Sequence, residues 1–448
     1  MELRGKKIVV VGMARTGIAT ARFLLDWGAR VTISEAKPAA QLPDQALALA
    51  QQGVLLETGG HRMETVRSAE LIVVSPGVPL DIAPLRAADN SGIEVISEIE
   101  LAYRFLQTPL IAITGTNGKT TTTSLLGEMF RYAGKKVFVG GNIGTPLIAY
   151  VSGTQDQDFV IAEISSFQLE GIKAFKPFIS VLLNVTEDHL DRYQSFAEYS
   201  AAKGRIFLNQ TESDIAVLNY DDPQVRAVVR AIRAQKVFFS TRQPLPEGIS
   251  YNGALHLRLQ GEDARITIAE ALLTGIHNVE NMMAAAAVGF VCGLSLQCMQ
   301  QALVRFPGLK HRMELVGEIH GVTFYNDSKA TNVGAVVKSL ESLPAPLVLI
   351  AGGKDKGGSY APLQSLLQQK VKLLILLGEA RERMRAELGG TVETVMTASL
   401  DEAVHAAFSR SEAGDTVLFS PACSSFDMFT SYEHRGACFK ELVDALKK

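Results

Sequence analysis

Short apolar runs alternate with amphipathic stretches from the first residues onward. Lys7–Val11 is an apolar, β-branched run, Ile18–Trp27 has helical spacing, and Ala29–Ile33 reads as a second strand. Leu71–Val74 is another buried strand, halted by Ser75-Pro76-Gly77. Such alternation predicts a parallel sheet with helices on its faces. A second series opens at Leu110–Thr114 and continues through Lys136–Val139, Phe159–Ala162, Ser180–Leu183 and Ile215–Leu218. Between Val237 and Leu273 the runs shorten and alternate, which predicts a small antiparallel patch. Helices are expected at Asn278–Cys292 and Leu296–Arg305, after which Pro307-Gly308 breaks the chain. Beyond it the rhythm resumes with strands at Val322–Tyr325, Leu347–Ala351, Val371–Leu377 and Thr416–Ser420. A helix after Asn332 and a closing helix to Lys448 complete an α/β chain with boundaries near Glu98 and Gly308.

Composition narrows the function. A length of 448 residues fits about three domains. Hydrophobic residues at 47% against 20% charged can fill several cores and exclude disorder. Lys+Arg 44 against Asp+Glu 47 leaves −3, so any phosphate site must be local rather than a nucleic-acid surface. The four cysteines are scattered and form no CxxC pair, which excludes a disulfide scaffold or a zinc ribbon. The most apolar stretch, Met282–Leu296, is interrupted by Gly289, Gly293 and Ser295 and is too short for a span. Arg15 breaks the apolar run Ile8–Ala14, and no cleavage site follows it, so no signal peptide is expected.

The sharpest motif is Thr114-Gly115-Thr116-Asn117-Gly118-Lys119-Thr120-Thr121, directly after an apolar strand. Glycines let the backbone fold so that N–H groups face phosphate oxygens at a helix N-terminus. Lys119 is placed to reach the β- and γ-phosphates, and the Thr120 hydroxyl to ligate magnesium. The match to G-x-x-x-x-G-K-[ST] is imperfect, because Ile113 stands at the first glycine position. A strand-to-helix turn with a surface lysine is the bland alternative. Glu163 follows the run Phe159–Ala162 at the expected sheet rim, where a hard oxygen ligand suits magnesium. Asp188-His189-Leu190-Asp191 follows the next strand; its acids could equally be helix caps. At the start, Gly12-Met13-Ala14-Arg15-Thr16-Gly17 approximates GxGxxG, with Glu35 ending the next strand. Ala14 replaces the glycine that admits close pyrophosphate approach, which weakens the nicotinamide reading without removing it.

Taken together, the Gly115–Thr120 loop, Glu163 with Ser165-Ser166, Thr186–Asp191 and His277-Asn278-x-x-Asn281 resemble the Mur ligases. These are ATP-dependent amide-forming enzymes of peptidoglycan precursor synthesis, related to folylpolyglutamate synthase. Asn326–Asn332 and Ser420–Asp427 resemble the D-glutamate-adding branch. The resemblance covers essentially the whole chain. It implies a Rossmann-like domain for the UDP-linked substrate (1–98), a P-loop ATPase-like central domain (99–308) and a Rossmann-like amino-acid domain (309–448).

By that resemblance, ATP would meet Gly115, Thr116, Asn117, Gly118, Lys119, Thr120 and Thr121, with Asn281 on the adenine side and Arg312 and Asp327 from the third domain. Arg15, Thr16, Glu35, Lys37, Gly77 and Asn142 would hold the UDP-substrate. Lys329, Thr331, Lys356, Ser425, Phe426 and Tyr432 would form the amino-acid pocket. Lys354 competes with Lys356 for its role, and Phe426 and Tyr432 could be core aromatics. Thr120, Glu163, His189 and a carbamylated Lys203 would ligate two magnesium ions. Lys119, His189 and Lys203 are the implied catalytic residues, with His189 either a metal ligand or an orienter of the amine. A solvent-facing helical lysine is the plain alternative for Lys203.

The implied reaction activates the alanyl carboxylate of UDP-N-acetylmuramoyl-L-alanine as an acyl phosphate, which D-glutamate then attacks. The implied setting is a cytoplasmic monomer acting on small molecules, with no nucleic acid and no membrane span. Three alternatives remain at this stage: another Mur-type or folylpolyglutamate-type ligase, a P-loop ATPase switch, and a nicotinamide oxidoreductase.

Overall fold

The computed structural model describes residues 1–230, 232–273 and 275–447, and Lys448 at the end of the expected closing helix lies outside them. The chain is α/β throughout, with three domains that each carry a mainly parallel sheet. It packs as two compact units. One comprises Met1–Val185, Ala197–Ala269 and Glu280–Leu303; the other comprises Thr186–Phe196, Glu270–Val279 and Val304–Lys448.

In the first unit, the N-terminal sheet has the spatial order Leu55–Thr58, Arg30–Glu35, Lys7–Val11, Leu71–Val74, Glu94–Ser97, all parallel. The chain leaves the central strand on one side and returns on the other, so the turns after Val11 and Val74 flank a switch point. Side chains of Val9, Val11, Ile72 and Val74 share one buried cluster. The larger sheet runs Glu262–Thr267, Ala254–Leu259, Gly248–Tyr251, Gln235–Ser240, Ile215–Asn219, Ile179–Leu182, Leu110–Thr114, Phe159–Glu163, Val137–Gly141. Its antiparallel part is confined to the hairpins from Gly248 to Thr267, and Gln235–Ser240 is parallel to its neighbour. Leu110–Thr114 is fully buried between two parallel partners, which the unbroken apolar run requires.

The sheet of the second unit runs Glu314–Ile319, Val322–Asn326, Thr416–Phe419, Leu347–Gly352, Val371–Leu377, Thr394–Met396. Successive side chains alternate faces: Leu349, Ala351, Leu374 and Leu376 enter one core, and Val348, Ile350, Leu373 and Ile375 the other. Both faces are therefore covered.

Among the described residues, four strands escape the sequence pattern. Leu55–Thr58 and Thr394–Met396 are short edge strands, the first with Leu55 68% exposed. Glu94–Ser97 is an edge strand begun by a charge, and Glu314–Ile319 is interrupted at Gly317, where its register shifts. The first helix starts at Arg15 rather than Ile18, so Arg15 and Thr16 stand in its opening turn. Among the described residues, no helix is long and apolar enough to cross a membrane.

Candidate active site

The phosphate-loop motif forms the turn between the buried strand Leu110–Thr114 and the helix Lys119–Tyr132. Gly118 caps that helix at φ +87°, in the left-handed region. A Cβ there would lie 2.3 Å from Asn281 Oδ1, so any side chain would have to displace that carboxamide as well as bear the left-handed φ. Lys119 Nζ donates to the carbonyls of Gly115 and Thr116, both at 2.9 Å, which folds the lysine back over its own loop. Thr120 Oγ1 donates to Glu163 Oε2 at 2.7 Å, and Asn142 Nδ2 donates to Glu163 Oε1 at 2.8 Å. Glu163 ends its strand rather than following it and is buried. Asn184 braces the loop from the adjacent strand exit: its Oδ1 accepts from Asn117 N–H at 2.8 Å, and its Nδ2 donates to Asn117 O at 3.1 Å.

Lys203 is 2% exposed, which removes the reading of a solvent-facing lysine. Its helix, Phe196–Gly204, turns it inward; Nζ donates to Gly115 O at 2.9 Å and lies 4.7 Å from the Tyr199 ring centroid. Tyr199 OH in turn lies 3.2 Å from Thr116 Oγ1. Asn281 accepts from Thr122 Oγ1 at 3.2 Å, so its carboxamide packs against the phosphate loop itself. Among the described residues, no three His, Cys, Asp or Glu side chains converge as a ready-made metal cluster. Thr120 and Glu163 nevertheless pair a hydroxyl with a carboxylate, the hard-oxygen chemistry magnesium takes.

At the N-terminal switch point, Glu35 Oε2 accepts from Met13 N–H at 2.7 Å and Oε1 from Lys37 N–H at 3.0 Å. Ser75 Oγ donates to Gly12 O at 3.1 Å, which ties the turn before Gly77 to the glycine loop. Gly17 is obligatory, since a Cβ would fall 2.0 Å from Gly12 O.

In the second unit, a cavity of about 360 Å³ is lined by Asp188, His189, Thr331, Asn332, Lys356 and Tyr360, among others. Asp188 organises one wall: Oδ2 accepts from Asn332 Nδ2 at 3.0 Å, and Oδ1 lies 3.5 Å from Lys356 Nζ. His189 carries a positive φ of 55°, and its Nε2 is 3.8 Å from Asp188 Oδ2.

Three family models match in sequence order: a Mur ligase MurD-like N-terminal domain over residues 6–97, a Mur ligase middle domain over 113–289, and a Mur ligase glutamate ligase domain over 311–423. The chain belongs to the Mur ligase family. It is 53% identical to the UDP-N-acetylmuramoylalanine–D-glutamate ligase of Geotalea daltonii, over 100% of this chain and 99% of the relative. Identity is 54%, with the same coverage, to the ligase of that name from Geotalea uraniireducens. Among solved structures, a MurF ligase from Thermotoga maritima in complex with ADP matches at a TM-score of 0.64 and 16% identity, covering 99% of this chain and 96% of that one. That last likeness speaks for the fold alone.

Within this Mur ligase, the cavity takes in part of the expected amino-acid set. Thr331 and Lys356 line the cavity, whereas Lys329, Ser425, Phe426 and Tyr432 are not among its lining residues. Lys329 Nζ sits 5.1 Å from the Tyr432 ring centroid, Ser425 is buried, and Phe426 is 68% exposed and so no core aromatic. Lys354 is exposed, and its backbone pairs with that of Ser424. Asp327 is expected at the nucleotide, yet its carboxylate is engaged within its own domain. Oδ2 accepts from Ser339 Oγ at 2.6 Å and Ser420 Oγ at 2.7 Å, and Oδ1 accepts from Met313 N–H at 3.2 Å. Burial raises its pKa. Burial, with Arg312 and Lys338 nearby, pulls His277 down to about 4, so this imidazole is neutral.

Sequence reasoning missed Asn184, Tyr199 and Arg435. Asn184 directly follows a strand beside the loop, a signal that was available. Arg435 offered none. It is fully buried, donates to the carbonyls of Ser328, Cys423 and Ser424, and burial lowers it to about 10.

Proposed function

We propose that this Mur ligase joins D-glutamate to UDP-N-acetylmuramoyl-L-alanine with cleavage of ATP to ADP and phosphate. What carries the reading is identity above 50% along the whole chain to relatives bearing that name. The division of labour follows the three sheets: residues 1–98 hold the UDP-linked substrate, 99–308 hold ATP, and 309–448 hold the amino acid. Arg15, Thr16, Glu35, Lys37, Gly77 and Asn142 serve the first site. Lys329, Thr331, Lys356, Ser425, Phe426 and Tyr432 serve the third.

Lys119 and the backbone of Gly115–Thr121 bind the phosphates, since phosphoryl transfer is mostly positioning and charge stabilisation. Lys119 leaves the carbonyls of Gly115 and Thr116 for the γ-phosphate when ATP enters. The alanyl carboxylate attacks that phosphorus, which yields an acyl phosphate and ADP. The amine of D-glutamate then attacks the acyl carbon and expels phosphate, with one proton lost from nitrogen. Magnesium would be held by Thr120, Glu163 and Lys203 as a carbamate, with His189 as a further ligand by family resemblance, and would supply charge neutralisation on the phosphates. The burial of Lys203 beside Gly115 supports the carbamate: once the ammonium has lost a proton to solvent, the neutral amine adds carbon dioxide and releases a second proton, so that a cation at the loop becomes an anion that a metal could use. The enzyme acts in the cytoplasm, as a monomer, on small molecules.

Mass spectrometry of products from UDP-N-acetylmuramoyl-L-alanine, ATP and a panel of amino acids tests the assignment. A D-glutamate adduct is expected. Preference for another amino acid moves the chain elsewhere in the family, and ADP release without either acceptor favours a P-loop switch.

A further inference from the structure

The loop Gly353–Tyr360 carries Lys356, and three of its eight residues are glycine. Left alone, such a loop would spread its lysine over many positions, because glycine loses the most backbone freedom on ordering. A side-chain network outside the expected site residues holds it. Arg383, on the helix Arg381–Leu388, donates from Nη1 to Asp355 Oδ2 at 2.5 Å and from Nη2 to Gly358 O at 2.6 Å. Its Nε donates to Glu387 Oε1 at 3.0 Å, and the guanidinium lies 5.2 Å from the Tyr360 ring centroid. Asp355 Oδ1 accepts from Tyr360 OH at 3.0 Å and from Gly357 N–H at 3.1 Å. Glu387 Oε2 accepts from Tyr360 N–H at 2.8 Å. One guanidinium thus grips the loop on both sides of Lys356, at residues 355 and 358, and Tyr360 closes the ring.

We infer that Arg383 and Asp355 are positioning residues that fix Lys356 for the carboxylate of the incoming amino acid. The inference rests on the ligase reading, in which Lys356 meets that substrate. Only a planar fork spans Asp355 and the Gly358 carbonyl at once, so lysine is a poor replacement for Arg383. Misplacement of one binding cation weakens ground-state binding of the amino acid and leaves ATP and the UDP-substrate untouched.

Arg383→Ala, Arg383→Lys and Asp355→Asn in the full-length chain are assayed for KM of all three substrates, with thermal melting in parallel. The expected result is a rise of about tenfold in the amino-acid KM, with the other two KM values within about twofold of wild type. Arg383→Lys should recover little of the loss. An unchanged amino-acid KM, or an equal rise in all three KM values, overturns the positioning role. If Arg383→Ala does not fold, Arg383→Lys carries the same comparison, since it keeps the charge and stem and removes the fork. The wild-type amino-acid panel is run beside these variants. If it shows a substrate other than D-glutamate, the comparison is made on that amino acid, and the two ideas fail separately.

Discussion

Glu98 gives the sharpest pH prediction. It opens the helix Glu98–Tyr103 immediately after the edge strand Glu94–Ser97, and Ser97 N–H donates to Gly171 O at 2.9 Å, which ties the N-terminal sheet to the central domain. Glu98 Oε1 accepts from Ile148 N–H at 2.7 Å, and the carboxyl is buried. Burial raises its pKa from 4.5 to about 7, against the opposing effects of the hydrogen bonds with Ile148 N–H and the Gln168 side chain. The folded state therefore binds this proton more tightly than the unfolded chain does. The stabilisation is complete below pH 4.5 and is lost as pH rises through about 7. A gap between 4.5 and about 7 corresponds to roughly 3 kcal/mol at full titration.

Glu98→Gln keeps the acceptor for Ile148 and cannot ionise. Any pH-independent cost of the amide cancels when the difference between variant and wild type is compared at two pH values. That difference should shift in favour of the glutamine variant by roughly 2–3 kcal/mol between pH 5 and pH 8. Urea unfolding of both proteins at each pH, followed by fluorescence and circular dichroism, measures it. A difference that is flat with pH, or that favours the variant more at pH 5, refutes the argument.

Three further outcomes follow from the ATP end. Lys203→Ala should lose most ligase activity, and added acetate should restore part of it in a steady-state assay; near wild-type activity without acetate sinks the carbamate. Glu163→Gln should lower kcat by about a hundredfold and raise the magnesium requirement, and an unaltered magnesium titration would count against a metal-side role. Gly118→Ala forces a side chain into the left-handed region and against Asn281, at about 1–2 kcal/mol for the backbone alone. It should weaken ATP binding by at least about tenfold in calorimetry, and wild-type affinity would mean that the loop is less constrained than its geometry.

Much of the chain was legible in its residues. Leu71–Val74, Leu110–Thr114, Leu296–Arg305 and Val371–Leu377 match their expected spans residue for residue, because continuous apolar runs and helical periodicity are local signals set by burial. The phosphate loop was equally plain, since its glycines, lysine and threonines are contiguous. Edge strands such as Leu55–Thr58 were not, because half their environment is solvent and their pattern is diluted. What only the tertiary structure decided is which distant groups meet. Nothing near Lys203 in sequence says that its amine reaches Gly115, 88 residues away. Nothing in the local chain tells Lys356 from Lys354, or marks Phe426 as solvent-facing. Arg383 and Arg435 look like ordinary helical surface arginines until strands from separate parts of the chain bring carbonyls and Asp355 within reach. Local sequence sets the elements by propensity and burial, whereas long-range contacts depend on how those elements pack, and side-chain roles are fixed only there.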